Sequence, residues 1–279
     1  MSMKRIILII AVVLSVRTVM AQQLSLTKAT LPIKLSLKEK KEKYTEIYTY
    51  NVSVYVEGYS GEEVSIEPYV LPSRNNLPAA AAWLKDITPL TIKDRLRPNA
   101  ETFITEYADF YRVNIGVTDY KALLIRVPRD MHLKLSSTGS IPGNKMVLND
   151  LNGKLEVGGS MPFIEVSNIT GPLTVGSNNI GNTKIKIKDV KWNAPTSASD
   201  KFTILVSSYA GAIDIEVPEQ LKANFNLRSN YGEVYSDLGI SPKFPESNAQ
   251  NYLLSQLNGG GTVISVTTEY GNIFLRKEK

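Results

Sequence analysis

The chain of 279 residues contains no cysteine, a single histidine and two tryptophans. Without cysteine there is no disulfide framework, no thiolate metal site and no thiol nucleophile. His132 stands alone, so a histidine metal cluster is impossible and a Ser-His-Asp set has one candidate base. Its place between Met131 and Leu133, in a strand-like run, reads as structural or surface. No glycine-rich phosphate loop follows a strand and opens a helix. Beyond residue 16 no apolar run is long enough to cross a bilayer as a helix. The sequence therefore calls for no metal, no cofactor and no catalytic residues, and an uncross-linked chain of this size must be held by a sizeable core.

What is present begins with an address. Lys4 and Arg5 form a positive n-region, Ile6 to Val16 is apolar apart from Ser15, and Val19-Met20-Ala21 supplies a small-x-small cleavage pattern. Residues 1–21 read as a secretory signal peptide cut between Ala21 and Gln22. The apolar run would span about 17 Å as a helix, against a hydrocarbon core of about 30 Å, so it is too short for an anchor. The expected location is the periplasm, the cell surface or the extracellular space. Removing Lys4, Arg5 and Arg17 leaves 29 basic and 27 acidic residues. That balance argues against nucleic acid as a partner. Residues 22–43 form a charged segment, with Lys34, Lys38, Lys40, Lys41 and Lys43 interleaved with Glu39 and Glu42, and read as a solvated stretch.

Residues 44–122 read as an N-terminal β region with one short helix. Tyr48, Tyr50, Val52, Val54 and Val56 alternate as one face of a strand. Gly58-Tyr59-Ser60-Gly61 then connects to Val64 and Ile66, which predicts a β-hairpin. Pro78 followed by Ala79 to Ala82 predicts a short helix within 77–96, stopped by Pro89. Strand character returns at Tyr111, Val113, Ile115 and Val117.

Residues 123–279 carry short β-runs split by Gly, Asn, Asp and Pro, which excludes a helical protein. A phrase recurs among them: Asn152-Gly153-Lys154-Leu155, Thr170-Gly171-Pro172-Leu173, Tyr209-Ala210-Gly211-Ala212-Ile213, Tyr231-Gly232-Glu233-Val234 and Tyr270-Gly271-Asn272-Ile273. The apolar residues after each glycine are Leu155, Leu173, Ile213, Val234 and Ile273, separated by 18, 40, 21 and 39 residues. Two gaps lie near 20 and two near twice that. A repeat of about 20 residues with short strands is what a β-solenoid needs, each coil stacking about 4.8 Å above the last. A β-sandwich is the alternative. On the solenoid reading the five apolar residues stack inward in one column. Missing copies fall in loops near 193 and at 254–261. Gly211, Gly232 and Gly271 should show positive φ or close backbone approach in at least two cases.

The Tyr-Gly-x-Ile/Val phrases and the closing Glu269-Tyr270-Gly271-Asn272-Ile273-Phe274-Leu275-Arg276-Lys277 resemble a widespread bacterial adhesin-like family, often designated only a domain of unknown function. The earlier Val56-Glu57-Gly58-Tyr59-Ser60-Gly61-Glu62-Glu63-Val64 is similar to the opening strand-turn-strand of its Bacteroidetes members. The resemblance spans roughly 44–279. It implies an exported, right-handed, single-stranded β-helix, and it brings no catalytic residues. The chain departs from the pattern at Ala210, which separates Tyr209 from Gly211, and in its alanine-rich segment.

Three residue sets bear on chemistry. Asp214 and Glu216 share a strand face and could act as paired carboxylates on a sugar, but alternating charges on a solvent face are commoner. Asn178, Asn179, Asn182 and Asp189 could offer oxygens to calcium, though Asn at turns more simply bonds its own backbone. Lys184, Lys186 and Lys188 alternate with Ile185 and Ile187, placing three ammonium groups on one face about 7 Å apart. Lys191 and Trp192 follow. This comb is the candidate binding set for an acidic polysaccharide or envelope glycan; its plainer role is to keep a strand face soluble. The expected function is an exported, non-catalytic binding or scaffold protein of the cell envelope, adhesin-like, with a glycan or another protein as partner. The alternatives are a carbohydrate-active β-helix enzyme and an envelope sensor.

Overall fold

A computed structural model describes residues 23–29, 31–70, 88–89, 102–117, 122–139, 143–178, 183–190, 203–240 and 251–278. The fold is all-β. Among the described residues there is no helix, and so none long and apolar enough to cross a membrane. The signal peptide and the alanine-rich segment with its expected helix lie outside the described residues, apart from Thr88–Pro89, which is a short strand.

In chain order the strands are β1 (Gln23–Ala29), β2 (Ile33–Ser36), β3 (Tyr44–Tyr50), β4 (Ser53–Tyr59), β5 (Glu63–Val70), β6 (Thr88–Pro89) and β7 (Thr102–Tyr107). Then follow β8 (Tyr111–Val117), β9 (Ala122–Pro128), β10 (His132–Thr138), β11 (Met146–Leu151), β12 (Leu155–Gly159), β13 (Phe163–Ile169) and β14 (Leu173–Ser177). The last are β15 (Thr183–Val190), β16 (Thr203–Val217), β17 (Ala223–Ser229), β18 (Val234–Ser236), β19 (Tyr252–Leu257), β20 (Thr262–Tyr270) and β21 (Ile273–Lys277).

They form two mixed ladders joined by the long β16. The first runs β1-β7-β8-β3-β10-β12-β14-β16-β20-β17-β19, parallel from β8 to β17 and antiparallel at its ends. The second runs β2-β5-β9-β4-β11-β13-β15-β16-β21-β18, parallel from β9 onward. From β10 to β16 consecutive strands alternate between the ladders. At both ends sequence order and spatial order part company. The β3/β4 pair sits between β8/β9 and β10/β11. The final pair, β20/β21, is inserted between β16 and the earlier β17/β18.

The core lies between the ladders. Period-two alternation turns Leu133, Leu155, Leu173, Ile204, Ile264 and Phe225 inward as one fully buried column of the first ladder. The second ladder matches it with Met146, Ile164, Ile213 and Ile273. The five residues expected in one column therefore occupy two: Leu155 and Leu173 belong to the first ladder, Ile213, Ile273 and Val234 to the second. The glycine phrases mark two different corners of the path, which an even count of residues along the chain does not separate.

Close stacking explains the glycines. A Cβ on Gly171 would lie 2.7 Å from the Gly153 carbonyl carbon. One on Gly271 would lie 2.6 Å from that of Gly211, and one on Gly232 2.6 Å from that of Gly271. Gly211 (φ 105°) and Gly271 (φ 155°) also lie at positive φ. The expectation for these three glycines holds.

Three N-terminal expectations are corrected. The charged segment 22–43 is not simply solvated: it supplies β1 and β2, and its alternating Leu31, Ile33, Leu35 and Leu37 are buried in the core while Lys34, between them, faces outward. Asn51, at φ 52°, breaks the run from Tyr48 to Val56. Tyr50 is left in solvent on the first ladder while Val52, Val54 and Val56 turn into the core. The β4 and β5 strands do not form a hairpin: β9 lies between them, parallel to β4 and antiparallel to β5. Its Leu123, Ile125 and Val127 are fully buried, and such an apolar strand is more stable in a central position than at an edge. Near the other end, Leu254 to Leu257, expected as loop, belongs to β19 and pairs antiparallel with β17.

Candidate functional site

The outer face of the first ladder is unlike the core face. Register aligns Tyr48, Ser136, Gly158, Gly176, Ser207, Thr267 and Arg228 in one outward row crossing seven strands. Between Tyr48 and Arg228 no position in that row carries a side chain larger than threonine. Toward β17 the row opens into a groove of about 530 Å³ floored by Ser207 and Thr267 and walled by Tyr209, Arg228, Asn230 and Glu269. Asn230 Nδ2 donates to Glu269 Oε2 at 2.5 Å, which orients the amide and the carboxylate together. Arg228 makes no ion pair among the described residues.

Tyr209, on the groove wall, begins a column of exposed rings that runs beside it. Tyr231 stacks on Tyr270 at 4.9 Å with planes 9° apart, and Tyr209 meets Tyr270 edge-on at 5.5 Å and 67°. The extra Ala210 causes the difference. It pairs with Tyr270 and moves Tyr209 one position back along β16, so that ring reaches its neighbour by an edge. These rings are far from buried: Tyr209 is 45% exposed, Tyr270 46% and Tyr231 71%. Proximity to Tyr209 chiefly raises the Tyr270 phenol above its ordinary pKa, followed by desolvation, Tyr231 and Glu269. Behind it a buried row of hydroxyls serves the corner backbone. Ser208 Oγ donates to the Ala210 carbonyl at 2.9 Å and Ser229 Oγ to the Gly271 carbonyl at 2.7 Å. Thr268 Oγ1, in the same row, is buried without a hydrogen-bond partner.

The far end of the row carries a second aromatic group. Tyr44 stacks on His132 at 4.3 Å and packs on Phe110 at 5.0 Å, and Tyr107 stacks on Phe110 at 4.3 Å. Among these rings sits Glu46, nearly buried. It accepts from Tyr44 Oη at 2.6 Å and from Arg112 Nε at 2.6 Å. Burial alone would raise its pKa, but these bonds and the charges of Arg112 and Lys134 outweigh it, so the carboxyl titrates below its ordinary range. Burial, aided by Lys154, pushes the His132 imidazole down despite Glu156 at 3.3 Å.

The lysine comb lies on the other ladder. Lys184, Lys186 and Lys188 are in β15, between β13 and β16; Lys186 is in register with Glu165 on one side and Asp214 on the other. The side chains of the comb, with Lys191 and Trp192, lie outside the described residues. Asp214 is not a solvent-face carboxylate. It is 5% exposed, with Arg276 Nε 3.2 Å away, and Arg276 in turn lies over the Phe274 ring at 5.3 Å. A buried, ion-paired carboxylate beside a strand-mate is a poor acid/base pair. Of the calcium set, Asn178 lies at the groove, Asp189 is in β15, and Asn179 and Asn182 lie outside the described residues. No group of three or more His, Asp or Glu among the described residues is placed to hold a metal.

The groove residues Ser207, Arg228, Asn230, Thr267 and Glu269 carry no sequence motif. Their signal is positional: they are the outward residues of strands that become neighbours only through the insertion of β20.

No protein-family model matches the chain, and no curated protein matches it. Among solved structures it is similar to a candidate cell adhesion protein from Clostridium sporogenes, at 12% identity and a TM-score of 0.44 over 92% of this chain and all of that one. A likeness this low leaves ligand and activity to be argued from the residues themselves.

Proposed function

We propose that this is an exported, non-catalytic glycan-binding protein of the bacterial envelope, adhesin-like in role and built on a right-handed β-solenoid of the family its repeated phrases resemble. The observation that carries the reading is the exposed tyrosine column beside an open, hydroxyl-lined groove. Soluble proteins seldom leave several large rings contiguous in solvent without a partner to cover them. An aromatic face with a few fixed polar groups is what holds a sugar, the ring meeting its apolar face and the amides and hydroxyls its hydroxyl groups. Alternation of strands between two ladders supports the solenoid reading, and the sequence of residues 1–21 supports export. The lysine comb, with Lys191 and Trp192, is proposed as a second, electrostatic contact whose strength falls with salt.

The test is a screen of the mature protein against acidic and neutral glycans, measuring ligand depletion and product release together. The expected result is retention without product, lost in Tyr231→Ala/Tyr270→Ala. The triple change of Lys184, Lys186 and Lys188 to Gln should leave the groove occupied and flatten the salt response. Product release, or full binding by the tyrosine variant, refutes the reading.

A further inference from the structure

Gly158 and Gly176 differ from the other strand glycines. A Cβ on Gly158 would meet nothing nearer than the Gly176 carbonyl oxygen at 3.7 Å, and one on Gly176 nothing nearer than Ser207 Oγ at 3.6 Å. Neither has positive φ. The fold would accept a side chain at both, and a strand interior is stabilised by one, since glycine there has more backbone freedom to lose on folding. Glycine inside a strand marks a bulge, a tight bend, or close approach by another backbone or a ligand. Register is regular through both positions, which excludes a bulge, and no other backbone crowds them. They lie midway along the bare outward row, with the Tyr48 cluster at one end and the groove of Tyr209 and Arg228 at the other.

We propose that this row is the seat of a linear, carboxylate-bearing polysaccharide that crosses the strands from the Tyr48 cluster to the groove, where Arg228 meets a sugar carboxylate. Six ladder steps at about 4.8 Å give a track of roughly 29 Å, far longer than one or two sugar units need. The charge complement is local. Glu46 is bound to Arg112 and Glu156 to Lys154, and Glu269 in the groove is held by Asn230, whereas Arg228 is unpaired among the described residues and gains most from an incoming anion. The glycines leave the middle of the track open for a chain that contacts both ends, so affinity comes from simultaneous engagement.

This proposal rests on the glycan reading above, and one experiment separates the two. Oligogalacturonides from the dimer to the octamer are titrated calorimetrically against wild type, Gly176→Val and Arg228→Gln, with a thermal melt of each. Wild type should bind the octamer at least about tenfold more tightly than the dimer. In Gly176→Val that gain should vanish while the dimer still binds and the melting temperature is unchanged or higher, a combination that damage to the fold cannot produce. Arg228→Gln should weaken every length. Equal affinity for dimer and octamer, or an octamer bound equally well by Gly176→Val, overturns the track and leaves the glycan reading standing. Failure of wild type to bind any length overturns the track, and then neutral glycans decide whether the broader reading falls with it.

Discussion

Replacing either of two glycines by alanine should move stability in opposite directions. At Gly176 the added methyl makes ordinary contact, 3.6 Å from Ser207 Oγ. Removing glycine's freedom from the unfolded chain then stabilises by about 0.4–1 kcal/mol. At Gly232 the same methyl would sit 2.6 Å from the Gly271 carbonyl carbon and closer still to its oxygen. That carbonyl cannot back away, because Gly271 is itself pressed on Gly211 and β21 is paired on both sides, with Ile273 in register with Ile213 and Val234. Overpacking at an unyielding contact costs about 1–3 kcal/mol. Displacing the Gly271 carbonyl also breaks its 2.7 Å bond from Ser229 Oγ, worth about 1 kcal/mol. After subtracting the unfolded-state gain of about 0.4–1 kcal/mol, Gly232→Ala should destabilise by about 1–3.5 kcal/mol. At about 2–4 °C per kcal/mol for a chain of this size, it should melt roughly 2–14 °C lower, and Gly176→Ala slightly higher. Circular-dichroism melts and urea titrations of the mature protein read both. If the two variants shift the same way, or Gly232→Ala stays within about 0.5 kcal/mol of wild type, the stacked-corner explanation is wrong.

Ile213→Ala, at a fully buried position where the ladders join, should cost about 2–5 kcal/mol in urea denaturation, and a smaller loss would mean the core there collapses to fill the space. Because Glu46 titrates below its unfolded value in the folded protein, its contribution is present above the ordinary glutamate range and lost as pH falls through the folded value. Wild type should therefore lose stability more steeply than Arg112→Gln between about pH 5 and pH 3, and parallel curves would count against the Glu46–Arg112 contact. Intact-mass analysis of protein from the envelope fraction should begin at Gln22, and full-length chain recovered from the cytoplasm would refute export.

Much of the architecture could be read before the structure, and the failures share a cause. Local chemistry was readable: the period-two runs gave the strands, and the glycines that no side chain can replace announced the corners. Pairing was not. The apolar pattern of β4 and β5 is as compatible with a hairpin as with two strands flanking a third, and only the burial of Leu123, Ile125 and Val127 on β9 decides between them. Tyr50 and Val52 share parity, yet Asn51 turns the chain between them and sends one to water and the other to the core. The groove was least readable of all. Ser207, Thr267 and Arg228 are undistinguished polar residues, drawn together from three strands by register alone.

The insertion of β20/β21 between β16 and β17/β18 has a consequence in time. A chain emerging from a ribosome or a translocation pore delivers residues 203–236 before 262–277, so strands that end as next-but-one neighbours must wait apart for the segment that separates them. Until it arrives, both hold open backbone edges toward each other, and pairing them directly would shut the last segment out. The fold is in effect fastened by β20 and β21, as a zip is closed by its slider. Deleting β20 and β21 would expose the facing edges of β16, β17 and β18 at once.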